Sequence, residues 1–301
     1  MKEKVLITGA SGLIAKQLGS LLERNNFNVY YLSTSKKKIN KKILYWDYKI
    51  KYVDPKALQN VNHIIHLAGF NITKPWSKKN KKLMYDSRVK TSHLLFQECE
   101  KLNIKPISFI SASAMGYYGF NNKGIKLEED NPGKDWMSKL CVDWEKEADK
   151  FKAINSRVIK LRLSLILDQN SEIIKKTILG FRFGTGTIFG SGEQPFPWTH
   201  IKDVIKFILF ILQKKSIYGV FNLASPEHIT NYDFINTFKK IKYKKSLIIH
   251  LPKPLVNIIL GEKKLLIFND LQLSVEKIKK TGFKWSYPTI HEALEEITNN
   301  R

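Results

Sequence analysis

The chain has 301 residues, 43% of them hydrophobic, with 51 Lys and Arg against 27 Asp and Glu, a formal net charge of +24. That length allows one large α/β unit or two closely packed domains with an ample core. No apolar run reaches the roughly 18 residues of a membrane span, and Cys99 and Cys141 lie far apart and match no metal spacing, so no membrane and no metal are expected and a reducing, cytoplasmic compartment is.

Val5–Thr8 reads as an apolar strand opening into Gly9-Ala10-Ser11-Gly12-Leu13-Ile14-Ala15. Gly9 allows a tight turn, and Gly12 lets the backbone approach a phosphate closely. The helix predicted over residues 12–24 aims free amides and the positive end of its dipole at an anion. Ala15 is small enough for that helix to lie close to the strand. Because these first residues already belong to a core strand, no signal peptide is expected. Further strands are predicted at Asn28–Leu32, His63–Leu67, Ile107–Ser111 and Arg157–Leu161, with helices over 78–102 and 138–151. The alternation predicts an α/β fold with a Rossmann-type doubly wound parallel sheet, whose ligand sits at the carboxyl ends of the strands.

After Leu161 the character changes. The glycine-rich stretch from Gly180 to Gly192 contains Phe181, Phe183 and Phe189, and reads either as a loop closing over a substrate cleft or as a surface hairpin. A helix over 203–212 and a short strand at Val220–Leu223 follow, then helices over 231–242, 254–261, 274–281 and 289–298. The expected division is a dinucleotide-binding domain over 1–165, with part of 195–225 packed on it, and a smaller C-terminal α/β substrate-side domain over 166–301.

Five segments stand out: Thr8-Gly9-Ala10-Ser11-Gly12-Leu13-Ile14, His66-Leu67-Ala68-Gly69, the stretch from Asp86 to Thr91, Ser111-Ala112-Ser113-Ala114-Met115-Gly116-Tyr117-Tyr118-Gly119, and Trp198-Thr199-His200-Ile201-Lys202-Asp203. With these the chain resembles the extended short-chain dehydrogenase/reductases, and more narrowly an atypical subgroup called epimerase family proteins, some of whose members carry a cell-division-inhibitor label. The resemblance runs almost end to end. It implies a dinucleotide held by Gly9, Ala10, Ser11, Gly12, Leu13 and Ile14, with Leu67, Ala68 and Gly69 against its adenine and ribose side. Arg88 either faces this site or is a solvated helix cation.

An NAD enzyme usually places Asp or Glu at the end of the second strand to bind the adenosine ribose. Here Ser33, Thr34, Ser35 and Lys36 stand there, hydroxyls and a cation without an acid. An acid would repel a 2′-phosphate, so NADP(H) is expected over NAD(H). The alternative is a solvated turn that is basic in a lysine-rich chain.

The superfamily's catalytic group is a Ser after a central strand, then Tyr-x-x-x-Lys on the next helix. The spacing puts phenol and ammonium on one face. Ser113 fits the serine position, with Ser111 as a neighbouring alternative. The helix pair is missing in both available registers. One places Met137 and Cys141 at the pair, the other Asp135 and Lys139. Any proton donor must then come from elsewhere, and Tyr118 or Tyr117 either serves or packs the pocket wall. Arg162, Gln194 and Trp198 are substrate-side candidates by position, and His200 either anchors the two domains or transfers a proton.

Lysines are scattered in twos and threes, with no aromatic-interleaved RNA motif, zinc finger or basic tail. The charge therefore reads as a composition bias with weak polyanion attraction, not as a specific nucleic-acid site. The leading expectation is an NADP(H)-dependent oxidoreductase or epimerase-like enzyme acting on an unidentified small molecule between domains. Its rival is a cofactor-binding regulator that has lost turnover and works through a partner protein, linked to cell division; a homodimer is the other partner expected.

Overall fold

The structure, a computed structural model, describes residues 2–120 and 123–299. The first half alternates as the pattern predicts. Strand β1 (Lys4–Thr8) leads through helix α1 (Leu13–Arg24) to β2 (Asn28–Ser33) and β3 (Ile43–Asp47). Next come β4 (Tyr52–Val53), the single turn α2 (Pro55–Leu58), β5 (His63–His66), α3 (Lys78–Asp86), α4 (Val89–Lys101) and β6 (Ser108–Ala114). After β7 (Gly124–Lys126), α5 (Trp136–Asp149) packs on β6 and β8 (Arg157–Leu163) follows. The later elements are β9 (Leu165–Leu167), α6 (Glu172–Arg182), β10 (Thr185–Phe189), β11 (Trp198–His200), α7 (Ile201–Gln213) and β12 (Gly219–Leu223). They end with α8 (Asn231–Lys242), β13 (Leu247–Leu251), α9 (Lys253–Leu260), β14 (Leu271–Leu273), α10 (Glu276–Lys280) and α11 (Ile290–Asn299).

Eight strands form one sheet in the order β12-β8-β6-β5-β1-β2-β3-β4. The pairs β1·β2, β1·β5, β2·β3 and β5·β6 are parallel, and β3·β4 is antiparallel. Central strands of such a sheet are covered on both faces and read as unbroken apolar runs. Val5, Leu6 and Ile7 of β1 accordingly have no exposed surface. Helix α1 buries Ala15, Leu18, Gly19 and Leu22, the spacing of one helical face. A Cβ on Gly19 would lie 1.6 Å from the Tyr31 hydroxyl, so a larger residue there would push that side chain aside.

The chain groups into two compact units: Met1–Tyr117 with Trp136–Arg162 and Ile205–Phe221, and Tyr118–Asp135 with Leu163–Val204 and Asn222–Arg301. The second unit carries three parallel strand pairs, β10·β13, β11·β9 and β14·β7. Its core gathers Phe181, Trp198, Phe234, Phe238 and Ile290. A reciprocal cap of Thr230 and Asp233 starts α8.

Three local expectations change. The helix predicted over 78–102 breaks at Ser87 and Arg88, because the Ser87 hydroxyl donates back to the Met84 carbonyl and accepts from Phe70 N. The stretch from Gly180 to Gly192 is neither a closing loop nor a hairpin. It comprises the end of α6 and strand β10, and Phe181 stacks on Phe238 and Tyr243. A Cβ on Gly186 would lie 2.6 Å from the Phe181 ring, so this glycine serves helix-on-strand packing. Finally, β6 runs to Ala114, which puts Ser113 on the strand and not after it.

Candidate functional site

The carboxyl end of β1 is built by one hydroxyl. Thr8 Oγ1 accepts the backbone N–H groups of Leu67 and Ala68, at 3.0 and 2.9 Å. Its own proton then points to His66 Nδ1, 3.0 Å away. The fully buried His66 is therefore the Nε2–H tautomer, directed at the Arg88 carbonyl and Thr91 Oγ1. Burial pulls the imidazole down to about 4. This chain of contacts fixes the β5 turn against the β1 turn.

Gly9 stands at φ +77°, and a Cβ there would lie 3.2 Å from Ala68 Cα. Gly12 donates its N–H back to the Gly9 carbonyl at 2.7 Å and begins α1. No side chain caps this helix and its first turn holds no acid, so its leading amides stay available to an anion. Above them opens a cleft of about 470 Å³. Gly9, Ala10, Ser11, Ser33, Thr34, Ala68 and Gly69 line it. Gly12, Leu13, Ile14 and Leu67 are not among the lining residues: Leu13 and Ile14 are the first residues of α1, and Leu67 sits in the β5 turn that Thr8 holds. The cradle fits a dinucleotide: the β-carbon that any other residue would carry at position 9 is missing where backbone meets backbone.

Ser35 and Lys36 do not line the cleft. Ser35 N instead donates to Ser33 Oγ at 3.1 Å, and Lys36 Nζ lies 5.4 Å from the centre of the Tyr45 ring. Asp47, Tyr48 and Lys49 also line the cleft, and sequence reasoning missed them. Ile43–Asp47 alternates like a half-buried strand, and that signal could have found them at its carboxyl end. Both Asp47 oxygens already accept, from Lys49 N at 2.9 Å and the Tyr45 hydroxyl at 3.3 Å.

Helix α5 presents Met137, Cys141 and Glu145 at i, i+4 and i+8, all buried, whereas Lys139 is exposed. A Cβ on Gly116 would lie 2.5 Å from Met137 Cγ and 3.7 Å from Cys141 Sγ. Of the two registers, the one with Met137 and Cys141 therefore faces the segment that follows β6. Burial pushes the Cys141 thiol up to about 12, which makes it a packing group and not a nucleophile. The Ser113 hydroxyl donates to Glu145 Oε1 at 2.7 Å. Arg162 grips the same carboxylate through Nε at 2.8 Å and Nη2 at 3.0 Å, and its guanidinium lies 3.4 Å from the centre of the Tyr117 ring. Ser113, Glu145 and Arg162 are 2%, 6% and 2% exposed, so this is an internal charge pair with a serine attached.

In the second unit, Tyr118 has no exposed surface, and its hydroxyl lies 2.7 Å from Asn222 Oδ1 and 2.9 Å from the Leu127 carbonyl. Gln194 Nε2 donates to the Phe189 carbonyl at 2.9 Å, and Trp198 is buried in β11. His200 Nδ1 accepts from Lys202 N, leaving Nε2 to donate to Glu296 at 3.0 Å; its ring centre is 4.1 Å from that of Tyr287. Burial lowers its pKa. Lys202 Nζ pairs with the same Glu296. Among the described residues no group of three His, Cys, Asp or Glu could hold a metal, and no helix is long and apolar enough to cross a membrane.

Residues 5–224 match the model of the NAD dependent epimerase/dehydratase family, and residues 251–297 match a domain of unknown function, DUF1731. Epimerase family protein ML0860 of Mycobacterium leprae is 29% identical over 304 residues, covering 99% of this chain and 96% of that protein. Epimerase family protein SAR0825 of Staphylococcus aureus is 27% identical over 298 residues, covering 98% and 99%. Human epimerase family protein SDR39U1 (isoform 2), solved with NADPH, superimposes with a TM-score of 0.86 at 26% identity, covering 99% of this chain and all of that one. A UDP-glucuronic acid 4-epimerase from Bacillus cereus, solved with NAD, shares the fold at 20% identity, covering 98% of this chain and 96% of that one, with a TM-score of 0.76.

Proposed function

We propose that this chain, which belongs to the NAD dependent epimerase/dehydratase family, binds NADP(H) in the cleft at the carboxyl ends of β1, β2 and β5 and acts as an oxidoreductase or epimerase-like protein on a small molecule. The observation that carries the reading is the turn of Gly9 and Gly12 beneath uncapped α1 amides, beside a cleft of about 470 Å³ lined by Gly9, Ala10 and Ser11. Support for the phosphorylated cofactor comes from Ser33 and Thr34 at the end of β2, where no acid stands, and from the NADPH held by the SDR39U1 structure. In this reading the first amides of α1 meet the diphosphate, and the Ser33–Thr34 wall meets the adenosine side. The bound cofactor would supply a hydride-transferring nicotinamide. A cytoplasmic setting fits the free, buried cysteines.

A second reading, a cofactor-binding regulator with attenuated turnover, is favoured by one specific observation. Ser113 donates its proton inward to Glu145, and Tyr118 is sealed against Asn222 and Leu127. Neither hydroxyl is presented as an acid to a ligand.

Titration of the purified protein with NADPH and NADH, followed by fluorescence, tests the first reading. NADPH is expected to bind at least tenfold more tightly. Binding of neither cofactor overturns the site, and a preference for NADH overturns the assignment of the Ser33–Thr34 wall. Screening carbonyl compounds and nucleotide sugars for cofactor oxidation then separates enzyme from regulator. Turnover abolished by Ser113→Ala supports the enzyme; tight NADPH binding with no turnover supports the regulator.

A further inference from the structure

Arg88 stands at the break between α3 and α4. Its Nη1 donates to the carbonyls of Phe70, at 3.1 Å, and Met84, at 3.0 Å. Its guanidinium lies over the Trp144 ring, 5.3 Å from the centre. It also lies directly behind Gly69, a wall residue of the cleft: a Cβ on Gly69 would be 2.8 Å from Arg88 Cζ and 2.9 Å from Nη2. The side chain is half-buried and held by backbone carbonyls, and it stands outside the cleft wall by the thickness of one glycine.

What distinguishes it is its counterion. Buried charges are ordinarily paired, because carbonyl dipoles satisfy N–H geometry without neutralising a full charge. The buried Arg162 has Glu145 in a two-point grip, and the buried Lys160 has Asp149 at 2.7 Å. Among the described residues no carboxylate forms an ion pair with Arg88. Desolvation draws its pKa down to about 10.

We infer that Arg88 is a pre-positioned cation for the dinucleotide, its charge left for an anionic oxygen of the cofactor to complete across Gly69. The inference rests on the cofactor reading above and adds a residue whose role is electrostatic rather than one of contact. Leaving a cation unpaired in the free protein makes ligand binding complete a charge pair, which is where differential affinity for an anion comes from. Gly69 is the necessary spacer, since any side chain there would displace the guanidinium.

Cys141 offers a test in which only charge changes. Cys141 lies within electrostatic reach of Arg88, Glu145 and Arg162, so Cys141→Asp brings a carboxylate among these groups, and Cys141→Asn is its neutral isostere. Relative to Cys141→Asn, Cys141→Asp is expected to weaken NADPH at least tenfold, read by fluorescence titration. Independently, Arg88→Met is expected to weaken NADPH at least tenfold and Arg88→Lys less than threefold. Equal NADPH affinity in the Asp and Asn variants, or an Arg88→Met protein that melts normally and binds NADPH as the wild type does, overturns the role of Arg88 while leaving the cofactor reading intact. Failure of the wild-type protein to bind NADPH or NADH overturns the cofactor reading instead.

Discussion

Replacing Arg162 by Met removes the guanidinium from a carboxylate that is 6% exposed. Two hydrogen bonds, at 2.8 and 3.0 Å, disappear, and Glu145 keeps only the Ser113 hydroxyl at 2.7 Å and the Lys160 ammonium at 3.8 Å. Removing one partner of a buried pair costs about 3–5 kcal/mol, mostly because the orphaned charge stays desolvated. Lys160 offsets part of this, so about 3 kcal/mol is expected, a fall in melting temperature of about 6 °C at about 2 °C per kcal/mol for a chain of this size. The double variant Glu145→Gln/Arg162→Met removes both charges and should lose less than half as much, since the amide oxygen introduced by the first substitution can still accept from Ser113. Calorimetry or urea unfolding of the four proteins in a double-mutant cycle gives the coupling directly. A loss below about 1 kcal/mol for Arg162→Met, or additive losses across the cycle, would show that the pair is solvated and that Ser113 is not locked inward.

Two further outcomes follow from the cradle. Gly9→Ala places a Cβ at φ +77° and 3.2 Å from Ala68 Cα, which should cost about 1–2 kcal/mol of stability and abolish measurable NADPH binding in the same titration. His66 is neutral and buried, with its pKa lowered from 6.5 to about 4. The unfolded chain therefore takes up this proton first, and stability is complete above about pH 6.5, then falls as the pH drops towards 4 and levels below it. The loss over that window is about 3 kcal/mol, and a His66→Asn variant should show a flatter profile of unfolding midpoint against pH; an unchanged slope there sinks the assignment.

Much of the first half was legible from local pattern. The apolar run Val5–Ile7 ahead of Gly9 and Gly12 reads as a buried strand meeting a helix, and the positive φ of Gly9 and the full burial of Val5–Ile7 agree with that reading. Periodicity also marked α1, α5, α7 and α8 to within a few residues. What periodicity does not carry is the counterpart each residue meets. Ser113 looked like a group that orients a substrate, yet it donates to Glu145, 32 positions away. Tyr118 read either as a proton donor or as pocket wall, and Asn222, 104 positions on, takes its hydroxyl. Arg88 read either as facing the cofactor site or as a solvated helix cation, and the Ser87 back-bond breaks the helix and sets it beneath Gly69. Asp47 and Lys49 reach the cleft only because β3 lies beside β2 in the sheet. Backbone conformation and burial preference are properties of a short segment and so are written in its residues. Which way a hydroxyl points, and whether a buried charge has a partner, depend on chain segments brought together by folding, and those the tertiary structure alone decided.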